Sequence, residues 1–339
     1  MTKPAVRTAP PRLTAAGIAA ASRLIAPTLR DTPLRALPRL GERLGVTLHA
    51  KDETVGPLGC FKGRGADAYV ATRAARGDRT PLVCASAGNF GLAMADAGRR
   101  HGIPVTVFVA TNANAYKVAR IASTGGAVVR HGEDFDGAKS AAKRFATMRG
   151  FAFTEDGLDI EISEGAGTIG IELDAAGEYD DLVVPVGNGA LLAGIATWVR
   201  AKRPNVRVVA VCSAHAAVMR SCWRRGIAAA RRHAAAPAAT IADGIAVREP
   251  VAAAVADLAP LVDEFLAVDD YSLRGAMRAL HESEGIAVEP SAIAGVAAIA
   301  AWGSVFSGRR VLTVLTGANL TDAQRAEYFE RPVAETATA

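Results

Sequence analysis

The sequence predicts an α/β protein with two parallel-sheet blocks and a cleft between them. Two observations support this. From residue 80 onward, apolar runs of strand length alternate with helical patterns, and the alternation comes in two separate stretches. In the first stretch, Pro81 to Ala85 reads as a buried strand, followed by a glycine-rich turn and a helix to about Arg100 that His101-Gly102 ends. Pro104 to Val109 is the next strand, Asn112 to Ser123 a helix, Ala127 to Arg130 a strand, Asp136 to Arg149 a helix and Phe151 to Thr154 a strand. In the second, Asp181 to Val186 is a strand, Leu191 to Ala201 a helix and Val206 to Cys212 a strand, with Arg310 to Leu315 a strand near the end. Residues 225–240 are alanine-rich and compatible with either a helix or a surface loop.

With 339 residues, half of them hydrophobic and 22% charged, the chain can bury a rigid site without disulfides. Cys60, Cys84, Cys212 and Cys222 form no CxxC pair and no metal-ligand spacing with histidine, so reduced thiols in a cytoplasm are expected. Arg23 interrupts the apolar stretch near the start, and no run approaches the roughly 18 apolar residues a membrane helix needs. Net charge is +5 and the isoelectric point is near 9.2. Arg220, Arg224, Arg225, Arg231 and Arg232 cluster locally, but Trp223 is the one aromatic among them and aromatics make up only 5% of the chain, so the cluster reads as a solvated surface. Neither a nucleic-acid nor a membrane partner is expected.

Four segments carry chemistry. In Lys51 to Ala66, KDETVGPLGCFKGRGA, glycines and a proline make a loop with Lys62 at its far end before a helix. A lysine beside Phe61 near a glycine-lined site can take on the depressed pKa of an imine-forming amine, although such a lysine is more often a surface charge. In Val83 to Ala93, VCASAGNFGLA, a strand leads through Ser86, Ala87, Gly88 and Asn89 into a helix. The free N–H groups of that helix start suit a carboxylate, and a plain N-cap explains the pattern equally well. Val184 to Gly194, VPVGNGALLAG, is again strand, glycine turn and helix, a loop able to wrap a phosphate. It fails as a dinucleotide fingerprint: Leu192 stands where a third glycine is wanted, and the next strand ends in Cys212, not an acidic ribose ligand. In Leu315 to Asp322, LTGANLTD, the hydroxyl of Thr316 could hydrogen-bond a ring nitrogen without protonating it.

In this order and spacing the four segments resemble the fold type II pyridoxal-phosphate enzymes, the family of tryptophan synthase β, cysteine synthase and threonine dehydratase, from about Thr32 to Asn319. The resemblance implies two open twisted parallel-sheet domains, with a small mobile domain (58–158) inserted into a large cofactor-binding one (1–57 and 159–339). It implies that Lys62 carries pyridoxal 5'-phosphate as a Schiff base beside Phe61. Gly187, Asn188, Gly189, Ala190 and Leu191 would hold the phosphate, Asn89 the ring hydroxyl and Thr316 the ring nitrogen. Ser86, Ala87, Gly88 and Asn89 would take the substrate carboxylate. A homodimer is implied as well.

Within the family, FKGRGA (61–66), TIADGIAV (240–247) and VEPSAIAG (288–295) look most like the threonine/serine dehydratases. The resemblance therefore points to α,β-elimination from a small β-hydroxy amino acid such as threonine or serine, giving a 2-oxo acid and ammonia. Serine racemases of the family carry a serine where Ala87 stands, which favours elimination here, and the metal-binding relatives place a carboxylate at Cys212, so no metal is expected. Thr316, Cys60 and Asn188 depart from the dehydratase pattern. They leave open threonine synthase-like chemistry, β-replacement in specialised amino-acid metabolism and, more remotely, a non-catalytic binding protein.

Overall fold

The computed structural model describes residues 11–228 and 239–330. Arg231, Arg232 and most of the alanine-rich stretch lie outside the described residues. Two sheets organise the chain. The larger has the strand order β1-β2-β10-β7-β8-β9. Its strands are β1 (Leu34–Ala36), β2 (Thr47–Asp52), β7 (Asp181–Pro185), β8 (Arg207–Ser213), β9 (Glu264–Val268) and β10 (Arg310–Leu315). Only β1 runs antiparallel to its neighbour. The smaller sheet, β5-β4-β3-β6, is wholly parallel. It comprises β3 (Leu82–Ala85), β4 (Val105–Val109), β5 (Ala127–Arg130) and β6 (Ala152–Phe153). β7, buried at every position, is the continuous apolar run that a parallel strand covered on both faces requires.

Helices α1 (Ala15–Leu24) and α2 (Pro38–Leu44) precede the site, and α3 (Lys62–Ala75) begins at Lys62 itself. α4 (Asn89–His101), α5 (Ala115–Ser123) and α6 (Phe135–Arg149) flank the smaller sheet, and α7 (Ile160–Glu172) and α8 (Ala190–Lys202) pack beside the larger. α5 starts three residues later than the sequence pattern suggests, because the Asn114 side chain caps it by accepting from the N–H groups of Tyr116 and Lys117. β6 is shorter than its apolar run, although Thr154 N still donates to Val83 O.

The sequence reading assigns no element to α7, whose glycines serve helix packing. A Cβ at Gly165 would lie 2.5 Å from Arg64 O, and one at Gly167 within 3.0 Å of Gly194. The helix axes therefore approach closely only because these positions carry no side chain. This packing seats α3, and with it Lys62, against α7, while α8 with its preceding glycine loop packs on the same helix.

Candidate active site

Lys62 is held by backbone pairing with the turn that follows β10. Phe61 N donates to Thr316 O (3.1 Å), Ala318 N to Gly59 O (3.0 Å) and Glu289 N to Gly317 O (3.0 Å). The loop that presents the lysine is thus stitched to the LTGAN turn behind β10. Lys62 Nζ lies 2.6 Å from Asp156 Oδ2 and 4.6 Å from the Phe61 ring centroid, and its side chain is 17% exposed. Asp156 Oδ1 is buried with no hydrogen-bond partner.

The other predicted segments converge on the same space. β3 delivers Ser86, Ala87 and Gly88 to the N-terminus of α4, where Gly88 N donates to Ser86 Oγ (3.2 Å). β7 delivers Gly187, Asn188 and Gly189 to the N-terminus of α8, whose first residues are Ala190 and Leu191. Gly189 has φ +99°, a left-handed backbone that turns its neighbours' N–H groups into a concave nest. A Cβ at Gly187 would meet Gly244 O at 2.8 Å. β10 delivers Thr316. All twelve predicted residues, including Phe61 and Asn89, line one cavity of about 560 Å³, which suits a coenzyme with a small substrate.

The sequence reading missed several lining residues. Asp156 and Glu155 follow β6, and the Gly157 turn packs against Asn188 of the glycine loop. Lys117 pairs with Asp243 (2.5 Å), and Arg248 with Asp134 (2.9 Å) and Asp136 (2.8 Å), so ion pairs tie helices of the smaller sheet to loops of the larger. Glu289 is buried and its Oε1 accepts from Asn89 Nδ2 (2.7 Å). Burial, with the Asp243 charge, pushes Glu289 up to about 7 against the pull of Lys117 and the Asn89 hydrogen bond.

A carboxyl raised in the folded state favours folding while it is protonated there. The Glu289 contribution is therefore fully present below about 4.5 and is lost as pH rises to about 7. In the coenzyme-free protein, Glu289→Gln is expected to flatten the pH dependence of stability across that window. Denaturant midpoints at several pH values check this, and an unchanged slope contradicts it.

The donor set fits pyridoxal phosphate: a half-buried primary amine, a nest of N–H groups at a helix start with room for a phosphate, and one orphaned carboxylate oxygen beside the amine. Cys212, by contrast, is buried in β8, its Sγ 3.6 Å from Leu266 O, and among the described residues no group of histidine, cysteine and carboxylate side chains could hold a metal ion. No helix among the described residues is long and apolar enough to cross a membrane.

Comparison with known proteins agrees with this geometry. Residues 25–317 match the family described as "Pyridoxal-phosphate dependent enzyme". The L-threonine ammonia-lyase of Thermotoga maritima is 31% identical over 309 residues, covering 91% of this chain and 76% of that protein. A threonine deaminase of known structure, from T.th., superposes with a TM-score of 0.82 at 28% identity, covering 91% of this chain and 99% of that one. Maize serine racemase superposes with a TM-score of 0.84 at 25% identity, covering 93% and 96%. The fold is thus the fold type II architecture, and the chain belongs to the pyridoxal-phosphate dependent enzymes, as a lyase of the dehydratase-like branch with pyridoxal phosphate as its cofactor.

Proposed function

We propose that the protein catalyses α,β-elimination from a small β-hydroxy amino acid such as threonine or serine, releasing a 2-oxo acid and ammonia. The observation that carries this reading is the single cavity in which Lys62, the Ser86–Asn89 loop, the glycine nest and Thr316 meet, in a chain resembling a threonine ammonia-lyase. The N–H groups at the start of α4 bind the substrate carboxylate, and the nest before α8 binds the coenzyme phosphate. Pyridoxal phosphate, when bound, supplies the electron sink that makes the α-proton removable. Lys62 Nζ takes that proton, with Asp156 holding the amine in place. Thr316 offers the ring nitrogen a neutral hydroxyl. Ala87 offers no proton on the face away from Lys62, so an abstracted proton is not returned from that side.

The same reading takes 58–158 as the moving domain that closes on 1–57 and 159–339. The ion pairs of Lys117 and Arg248 are then its closing contacts. It also takes the protein to be a cytoplasmic homodimer, and the four buried cysteines, none in a disulfide, suit a reducing compartment.

The test is a screen of threonine, serine, 3-hydroxyaspartate, diaminopropionate and O-activated homoserine for 2-oxo acid and ammonia, with and without added nucleophiles. Ammonia release from threonine or serine, with the unreacted amino acid keeping its configuration, is the expected result. Release that depends on an added nucleophile indicates a replacement enzyme instead. Product from O-activated homoserine alone points to threonine synthase-like chemistry.

A further inference from the structure

A line of polar side chains runs from α5 into the cavity, and its hydrogen bonds have one direction. Arg120 Nη1 donates to Asn319 Oδ1 (2.6 Å). Asn319 Nδ2 donates both to Leu58 O (2.9 Å) and to Asn89 Oδ1 (2.7 Å). Asn89 Nδ2 then donates to Glu289 Oε1 (2.7 Å). A guanidinium has donors and no acceptor, and a backbone carbonyl accepts and never donates. Asn319 is therefore fixed from two sides, with its oxygen toward Arg120 and its nitrogen toward Leu58 O. The fixed Asn319 nitrogen in turn requires the Asn89 oxygen to face it, so the Asn89 nitrogen faces the other way. One Nδ2 hydrogen of Asn89 is used by Glu289, which leaves a second beside the cavity that Asn89 lines.

We propose that Arg120, through Asn319, is a positioning residue that locks the Asn89 carboxamide so that it presents an N–H, and never its carbonyl, to the ring oxygen of the coenzyme. This rests on the reading that places that oxygen at Asn89. An amide without such a lock can turn over and set its carbonyl lone pairs against an oxygen that carries negative charge. A donor held in place favours the ionised ring oxygen. Because α5 follows β4 of the smaller sheet while Asn319 follows β10 of the larger, the lock is complete only when the two sheets are seated together.

Two measurements on wild type, Arg120→Met and Arg120→Lys test the proposal. In the coenzyme-free protein, the side-chain amide protons of Asn89 and Asn319 are expected to exchange slowly with solvent in wild type and Arg120→Lys. They should exchange at least about tenfold faster in Arg120→Met, the size expected for losing one charge-assisted hydrogen bond. In the holoenzyme, Arg120→Met should shift coenzyme absorption from the long-wavelength to the short-wavelength band and hold the coenzyme roughly threefold to tenfold less tightly. Arg120→Lys should recover most of both. Unchanged amide exchange in Arg120→Met overturns the lock, and an unchanged band ratio overturns its effect on the ring oxygen. A wild-type protein that takes up no coenzyme would instead sink the cofactor assignment, and the exchange measurement would still decide the lock.

Discussion

Lys62→Ala is expected to abolish turnover, by roughly 10³-fold or more, because under the proposed function the variant lacks both the amine that carries the coenzyme and the base that moves the α-proton. The surroundings of Lys62 explain why no neighbour replaces it. Phe61 and Phe90 are its ring neighbours, Asp156 is already ionically paired to it, and Lys117 is held by Asp243. The check is borohydride reduction of the loaded protein followed by peptide mass mapping. Wild type should carry the reduced coenzyme on Lys62 and the variant on no residue. Label found on another lysine, or an active variant, would falsify the assignment.

The second large effect is on stability. Arg64, 1% exposed on the first turn of α3, donates through Nε and Nη2 to the two oxygens of Glu53 (both 2.9 Å) and also binds Glu172, Thr32 and Thr168. Arg64→Leu leaves Glu53 buried with no cation and Glu172 with only Lys51. Breaking a buried pair from one side costs about 3–5 kcal/mol. Arg64→Lys restores the charge without the fork and should recover only part of the loss. Denaturant unfolding of all three proteins checks the order, and a loss under about 1 kcal/mol for Arg64→Leu contradicts it.

Lys62, Asn89, the glycine nest and Thr316 were legible in the sequence because each sits where a strand, a glycine and a helix or turn follow one another, a signature contained in about ten residues. Asp156 has no such local mark, and its importance lies in meeting an amine 94 positions away. Glu289 sits inside VEPSAIAG, but its role depends on burial against Asn89, 200 positions away. α7 was illegible for a different reason. Its glycines carry a packing message that is readable only once α3 and α8 lie beside it. Register, depth and long-range pairing are properties of the assembled sheets, which a one-dimensional pattern does not contain.

β10 lies between β2 and β7, and the turn behind it closes the lysine loop through a contact spanning 261 positions. A chain emerging from the ribosome therefore exposes Lys62 long before the residues that organise it exist. Until Asn319 leaves the exit tunnel, the larger sheet lacks its middle strand and the lysine loop lacks its backbone partners. Under the proposed function coenzyme capture is thus a late event in biogenesis, and a translation product stopped short of β10 has the lysine without its backbone partners.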